Sequence, residues 1–444
     1  MSRRAPPAPG RNLAVKRWPR IRFVLSTVSA ISPTAAEDFR ITDFSASNGV
    51  LRFTATWRSD DPPPGGFLDL YCRTNLSHGG ARIVHSEGGA GEPPHSFAVD
   101  ASALRDAPAA FFLLGTRADA DGDVMPDAWE LGNGLDPDDP ADSVRDDDGD
   151  GLANLHELWH GTDPHAPDGA DTALAVLARS VDARLAGKAP ATALPYFLDY
   201  PQTAFATNAL AANPACWAVD VDLSCESPWN DEAKNRKSGT LVSPIHMLLA
   251  NHHKPPEPGT NFWFRAPDGT VYVRSIQAKR RIVSTPDTDL VVALLDEPLP
   301  PAIVPAKILP ENFREHLGSG LGLPAVSLDQ EGKILVSEIV DLETDEDAED
   351  ELPSLAASRA PLDPTRAAFY ELLVAGDSSN PKFLLFEDQP ILLSIHWMEN
   401  HAGASIRRYA DLVDAAMTIL SPNLGYRLET VDLDRFRKLP STPR

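Results

Sequence analysis

The sequence predicts a mainly β protein in three parts: a small N-terminal β-sandwich, an acidic linker of loops and short helices, and a C-terminal pair of β-barrels. Three observations carry this. Short apolar runs, several alternating at period two and separated by Gly and Pro turns, recur along most of the 444 residues. Proline, at 41 residues, is nearly twice as frequent as usual, which suits strands and loops better than a helical bundle. Aspartates at alternate positions crowd into one stretch between residues 119 and 163 and divide the chain into unlike halves. Apolar residues at 42% and charged residues at 23% are ordinary globular values, and the length suits two to three domains.

The formal net charge is −24. Residues 1–36 hold seven of the 40 Arg and Lys and no acid, so the remainder sets 33 bases against 64 acids. Nucleic acid or an anionic membrane is thereby excluded as the main partner, and calcium is a natural counter-ion. No stretch reaches the length of a membrane-spanning helix. Of three cysteines, Cys216 and Cys225 lie nine apart and could pair, leaving Cys72; three buried or free thiols is an equally open reading.

Residues 1–36 combine a basic region (Arg3 to Arg22), a short apolar run, Phe23 to Ile31, and small residues at Thr34-Ala35-Ala36. This reads as a signal peptide, with a secreted, periplasmic or cell-surface product; a basic arm is the alternative. Residues 37–117 form the sandwich. Leu51, Phe53, Ala55 and Trp57 share one strand face, and Asn48-Gly49 supplies a hairpin turn to Ile41–Phe44. Further strands are expected at 67–73, 81–85, 96–99 and 111–116. Nothing catalytic is visible there, so a binding or spacer module is expected, with cell-surface or extracellular-matrix contact as its use.

Residues 118–169 are the linker. Asp146, Asp148, Asp150, Gly151, Leu152, Asn154 and Glu157 fall at positions 1, 3, 5, 6, 7, 9 and 12 of a loop. That spacing lets carboxylates, the Leu152 carbonyl and a bidentate Glu157 close around one Ca²⁺, with glycine at the sharp bend. Asp119, Asp121, Asp123, Met125 (by its carbonyl), Asp127 and Glu130 repeat the pattern 27 residues earlier. There Val124 stands where glycine is wanted, and a β-branched residue resists positive φ, so this site is expected to be weaker. Clustered carboxylates repel without metal, so the linker is expected to order only with calcium. Residues 170–215 contain a helix over 171–187, capped by Asp171, with Leu174, Leu177, Val181 and Leu185 as its apolar stripe and Gly187 at its end.

Residues 216–436 read as strands near 241–249, 261–265, 271–276, 290–295, 334–340, 383–385 and 391–396, followed by a helix over Tyr409–Leu420, which suits two six-stranded barrels with a site between them. Asp341 to Glu351 carries eight acids in eleven residues and is read as a solvated insertion. Gly376-Asp377-Ser378-Ser379-Asn380-Pro381 lies between the apolar runs Phe369–Val374 and Phe383–Phe386. A serine on such a turn presents its hydroxyl at a fixed spot and aims the N–H groups of Gly376 and Ser378 at one point. His252 ends the block Gly239–His252 and Asp289 opens Asp289–Leu295, so a histidine base and an orienting carboxylate are both at hand. His246, His253, His396 and His401 compete with His252, which is chosen because it ends its strand block as the base must. Asp287 competes with Asp289, which directly opens a buried run where its carboxylate is shielded.

Taken together, the blocks from Gly239 to His252, from Asp289 to Leu295 and from Gly376 to Pro381 resemble the trypsin-like serine peptidases over about residues 216–420. The resemblance implies a serine endopeptidase acting on protein or peptide substrates, with His252, Asp289 and Ser378 as catalytic residues and the N–H groups of Gly376 and Ser378 as oxyanion donors. It also places Leu372 at the floor of the specificity pocket, implying cleavage after apolar residues, with Glu371 adjacent as the route to the opposite preference. Ser379 and Asn380 stand in place of two glycines of the family pattern, and His253 in place of a cysteine. The linker, with Gly161-Thr162-Asp163-Pro164 after its second loop, resembles thrombospondin type 3-like calcium repeats. A different class stays open: a catalytically inactive peptidase fold serving as a calcium-dependent binding or cell-surface module.

Overall fold

In a computed structural model of the chain, the described residues are 22–25, 40–47, 50–56, 67–73, 82–88, 95–100, 109–115, 117–188, 195–198, 210–228, 230–231, 237–252, 254–344, 353–374, 376–396 and 402–440. They form two compact units, residues 1–120 with 126–137, and residues 121–125 with 138–444. Most of the segment read as a leader, with Trp57, His253, His401 and much of the Asp341–Glu351 run, lies outside the described residues.

The first unit contains β1 (Arg22–Leu25), β2 (Arg40–Ser47), β3 (Val50–Thr56), β4 (Phe67–Arg73), β5 (Arg82–Gly88), β6 (His95–Asp100) and β7 (Ala109–Gly115). They make a three-stranded sheet ordered β2-β3-β6 and a four-stranded sheet ordered β1-β7-β4-β5. β2 and β3 pair antiparallel with Ser47 opposite Val50; the Asn48-Gly49 pair expected to turn them lies outside the described residues. Alternation buries Leu51, Phe53 and Ala55 of β3, and Phe53 meets Phe112 of β7 edge-on at 4.8 Å, so the two sheets share one core as a sandwich. β1 pairs in parallel with β7 and falls within the stretch read as a leader. The helix α1 (Asp127–Asn133) packs on β7, where a Cβ at Gly115 would stand 2.3 Å from that of Ala128.

In the second unit, α2 (Asn154–His160) and α3 (Ala173–Leu185) precede the barrels. The expected stripe Leu174, Leu177, Val181 and Leu185 is buried. The cap differs: Thr172 Oγ1 accepts the Ala175 N–H at 3.2 Å, while Asp171 lies outside the first turn and ion-pairs with Arg437. From residue 138 on, the acidic segment belongs to this unit, so it is docked on the barrels through α2 and α3.

The first barrel comprises β8 (Glu226–Ser227), β9 (Gly239–Ser243), β10 (His246–Ala250), β11 (Asn261–Arg265), β12 (Val271–Arg281) and β13 (Leu290–Leu295), in the order β11-β12-β13-β10-β9-β8. The run read as one strand over 241–249 is a hairpin: Ser243 Oγ accepts the N–H groups of Ile245 and His246, and Pro244 has no N–H to offer a ladder. A bridge from Asn230 to Phe262, with Trp263 N donating to Ser227 Oγ at 3.0 Å, nearly closes the barrel. After α4 (Arg314–Leu317), the second barrel is built from β14 (Pro324–Leu328), β15 (Ile334–Asp341), β16 (Leu355–Arg359), then α5 (Pro364–Ala367), β17 (Pro381–Phe386), β18 (Gln389–Ile395) and β19 (Gly403–Ala404). Its order is β18-β17-β14-β15-β16-β19, and a bridge between Ser394 and Ser405 brings its ends together. All pairings in both barrels are antiparallel. The chain continues into α6 (Ala410–Leu420), which buries Val413 and Ala416 but leaves Leu412 and Ile419 exposed. All three cysteines are buried and none is in a disulfide, so Cys216 and Cys225 do not pair.

Candidate active site

Each expected catalytic residue sits where a strand begins or ends, which fixes its backbone while leaving its side chain at the rim. His252 follows β10. Asp289 immediately precedes β13, in a left-handed conformation (φ +57) that aspartate tolerates better than most residues. Ser378 lies three residues before β17. These three, drawn from both barrels, meet. His252 Nδ1 and backbone N–H both bond the Asp289 carboxylate, the latter at 2.6 Å, and Nε2 lies 2.6 Å from Ser378 Oγ. A carboxylate only accepts, so Nδ1 carries the proton and Nε2 is left to accept from the serine hydroxyl. Asp289 is buried. The competing Asp287 turns away into an exposed ion pair with Arg281. His246 is enclosed instead, between Ser243 Oγ at 2.8 Å and Ser421 Oγ at 3.0 Å, and burial lowers its pKa to about 4.

The turn before Ser378 is specified tightly. Gly376 has φ +116, and a Cβ there would stand 2.2 Å from Gln330 Oε1, so only glycine fits. Asp377 is buried; its Oδ1 accepts the Gln330 N–H at 2.8 Å and its Oδ2 the Val374 N–H at 2.5 Å. Among the described residues, the N–H groups of Gly376 and Ser378 make no hydrogen bond, so both are available to an oxyanion. Ser379 adopts φ +77 with its side chain fully buried. The run expected to floor the pocket behaves differently. Leu372 is 54% exposed, whereas Leu373 is buried and packs on Leu335. Glu371 is paired with Lys333 at 2.9 Å.

The second acidic loop folds on its own backbone. Asp146 accepts the N–H groups of Gly149 and Gly151 at 2.8 and 2.7 Å, Asp148 that of Asp150 at 3.0 Å, and Asp150 those of Leu152, at 2.9 Å, and Gly169. Oxygens of Asp146, Asp148 and Asp150 lie within 4.8 Å of one another. Gly151, at φ +93, leaves no room for a Cβ beside Arg179. Glu157 is fully buried with neither carboxylate oxygen bonded, and Asp148 Oδ2 and Asn154 Oδ1 are likewise buried without partners. Burial first, then the charges of Asp150, Asp168 and Asp148, push Glu157 up to about 9; burial also raises Asp148 to about 6. Orphaned oxygens on the expected ligands are what a hard cation would satisfy. In the first loop, Asp123 accepts the Met125 N–H at 2.7 Å, and Val124 does adopt positive φ, +79. The boundary between the two units runs through this loop: Asp119, Asp127 and Glu130 fall in the first, Asp121 and Asp123 in the second.

No known protein family matches the chain, and no curated protein is significantly similar to it. No helix among the described residues is long and apolar enough to cross a membrane.

Proposed function

We propose that the chain is a serine endopeptidase of trypsin-like fold, exported and stiffened by calcium. The observation that carries this is the continuous hydrogen-bond chain from Asp289 through His252 to Ser378, spanning two six-stranded barrels. In this reading, Ser378 Oγ attacks the scissile carbonyl as its proton passes to His252 Nε2, and Asp289 stabilises the imidazolium. The N–H groups of Gly376 and Ser378 receive the oxyanion. His252 then returns the proton to the leaving amine, and water repeats the cycle on the acyl-enzyme. Ca²⁺ is the proposed occupant of the Asp146–Glu157 loop, held by Asp146, Asp148, Asp150, Asn154, Glu157 and the Leu152 carbonyl, where it supplies charge neutralisation and rigidity.

Of the Ser379 and Asn380 replacements, which favour an inactive binding module, the first is absorbed locally: Ser379 takes the left-handed conformation a glycine would have taken. A fluorophosphonate probe tests the two readings. Labelling that is lost in Ser378→Ala supports the peptidase. No labelling of the folded wild type supports the binding module.

A further inference from the structure

Lys382 is the second residue of β17, four after Ser378, and is buried with its Nζ donating to Ser358 Oγ at 2.6 Å and Ala356 O at 3.3 Å. Those acceptors belong to β16, and β14 and β15 stand between β17 and β16 in the sheet. A side chain on β17 reaches β16 only along a chord through the barrel, so Lys382 points into the interior of the second barrel. Its cross-strand partners are Ser327 on β14 and Ser394 on β18, and directly opposed residues share a face. Both serines are buried with hydroxyls that have no partner. Buried hydroxyls without a partner are uncommon and destabilising, and each calls for a reason.

This nest lies at the end of the barrel that carries the nucleophile. Ser394 is two residues before His396, whose backbone N–H and C=O bond Asn380 O and the Ser379 N–H. Ser327 opposes Leu335, the residue on which Leu373 of the nucleophile loop packs. Desolvation lowers the Lys382 pKa to about 7, and an arriving anion would restore its charge. We propose that Lys382, Ser327 and Ser394 form the subsite for the side chain preceding the scissile bond, and that it selects a carboxylate, Glu or Asp. This replaces the apolar preference that an interior Leu372 would have given.

The inference rests on the peptidase reading, and the test separates the two. Matched reporter peptides with Glu, Gln, Leu or Arg before the scissile bond are compared on the full chain, alongside thermal stabilisation by N-acetylglutamate and N-acetylglutamine. Glu should be cleaved at least about tenfold faster than Gln, as expected for a charge-assisted hydrogen bond, and only N-acetylglutamate should raise the Tm. Both differences should vanish in Lys382→Met and shrink in Ser394→Ala, which removes a single hydroxyl. Preference for Leu or Arg, or a Glu preference unchanged in both variants, overturns the subsite. Ser378 labelled by fluorophosphonate without Glu preference refutes the subsite alone. Absence of labelling refutes the peptidase reading, and the N-acetylglutamate shift then decides the subsite by itself.

Discussion

Ser379 Oγ accepts the Ala250 N–H at 2.8 Å, tying the nucleophile loop of one barrel to the strand that leads to His252 in the other. A non-glycine residue at φ +77 costs about 1–2 kcal/mol, and this bond, together with Ser379 N donating to His396 O, offsets it. Ser379→Ala keeps the strain and strands a buried N–H, so urea unfolding should show a loss of about 1–3 kcal/mol. Ser379→Gly releases the strain and should lose less. An alanine variant as stable as the wild type would show that the bond contributes nothing.

In the proposed peptidase, Asp289, His252 and Ser378 act as one unit, so their contributions should not be additive. Ser378→Ala and His252→Ala should each lower turnover of a reactive ester by roughly 10⁶-fold with the fold intact, and Asp289→Asn by roughly 10⁴-fold. Adding His252→Ala to Ser378→Ala should cost almost nothing more. Wild-type turnover in Ser378→Ala would remove the assignment.

The residues proposed as catalytic were legible because the proposed chemistry places them at strand ends: His252 after β10, Asp289 before β13, Ser378 before β17. What was hidden is carried by long-range closure. β14 was not anticipated because a strand buried at all five positions shows no alternation. β16 does alternate in burial, but its buried residues are the small Ala356 and Ser358, which leave no apolar stripe in the sequence. Lys382 lies in a strand buried at all six positions, and a lone lysine just before an apolar run carries no sequence signal of burial. Leu372 is exposed while its neighbour Leu373 packs on Leu335, a choice between adjacent leucines that no spacing rule encodes.

His246 should make the protein acid-sensitive. Its folded pKa of about 4 lies below the ordinary 6.5, with desolvation as the cause. The fold therefore prefers the neutral ring. Its contribution is complete above about pH 6.5 and is lost as pH falls towards 4, where the unfolded chain binds the extra proton. Stability should drop over that window, by on the order of 1 kcal/mol for this group. In His246→Gln, which keeps a partner for Ser243 and Ser421, that part of the drop should vanish from denaturation curves taken at pH 7 and pH 4.5. An unchanged slope would place the acid sensitivity elsewhere.

Calcium should stabilise the C-terminal unit itself, and not merely a linker. The exit helix of the second loop is docked on the barrel region, with His156 Nε2 at 2.7 Å from Leu321 O, and Arg179 of α3 bonds the Asp150 carbonyl. A ligand that binds only the folded loop stabilises by mass action, about 2.7 kcal/mol at a hundredfold excess over Kd. Adding calcium to the full chain should therefore raise the Tm of the barrel transition, and Asp148→Ala combined with Glu157→Gln should remove most of the rise. Gly151→Ala should also remove it, since φ +93 and the Arg179 side chain leave no place for a methyl group. The first loop should add less, because Val124 holds its bend at φ +79 against the preference of a β-branched side chain. A Tm equal in calcium and in chelator would sink the metal assignment. A rise that survives in Asp148→Ala/Glu157→Gln would move the ion to the first loop.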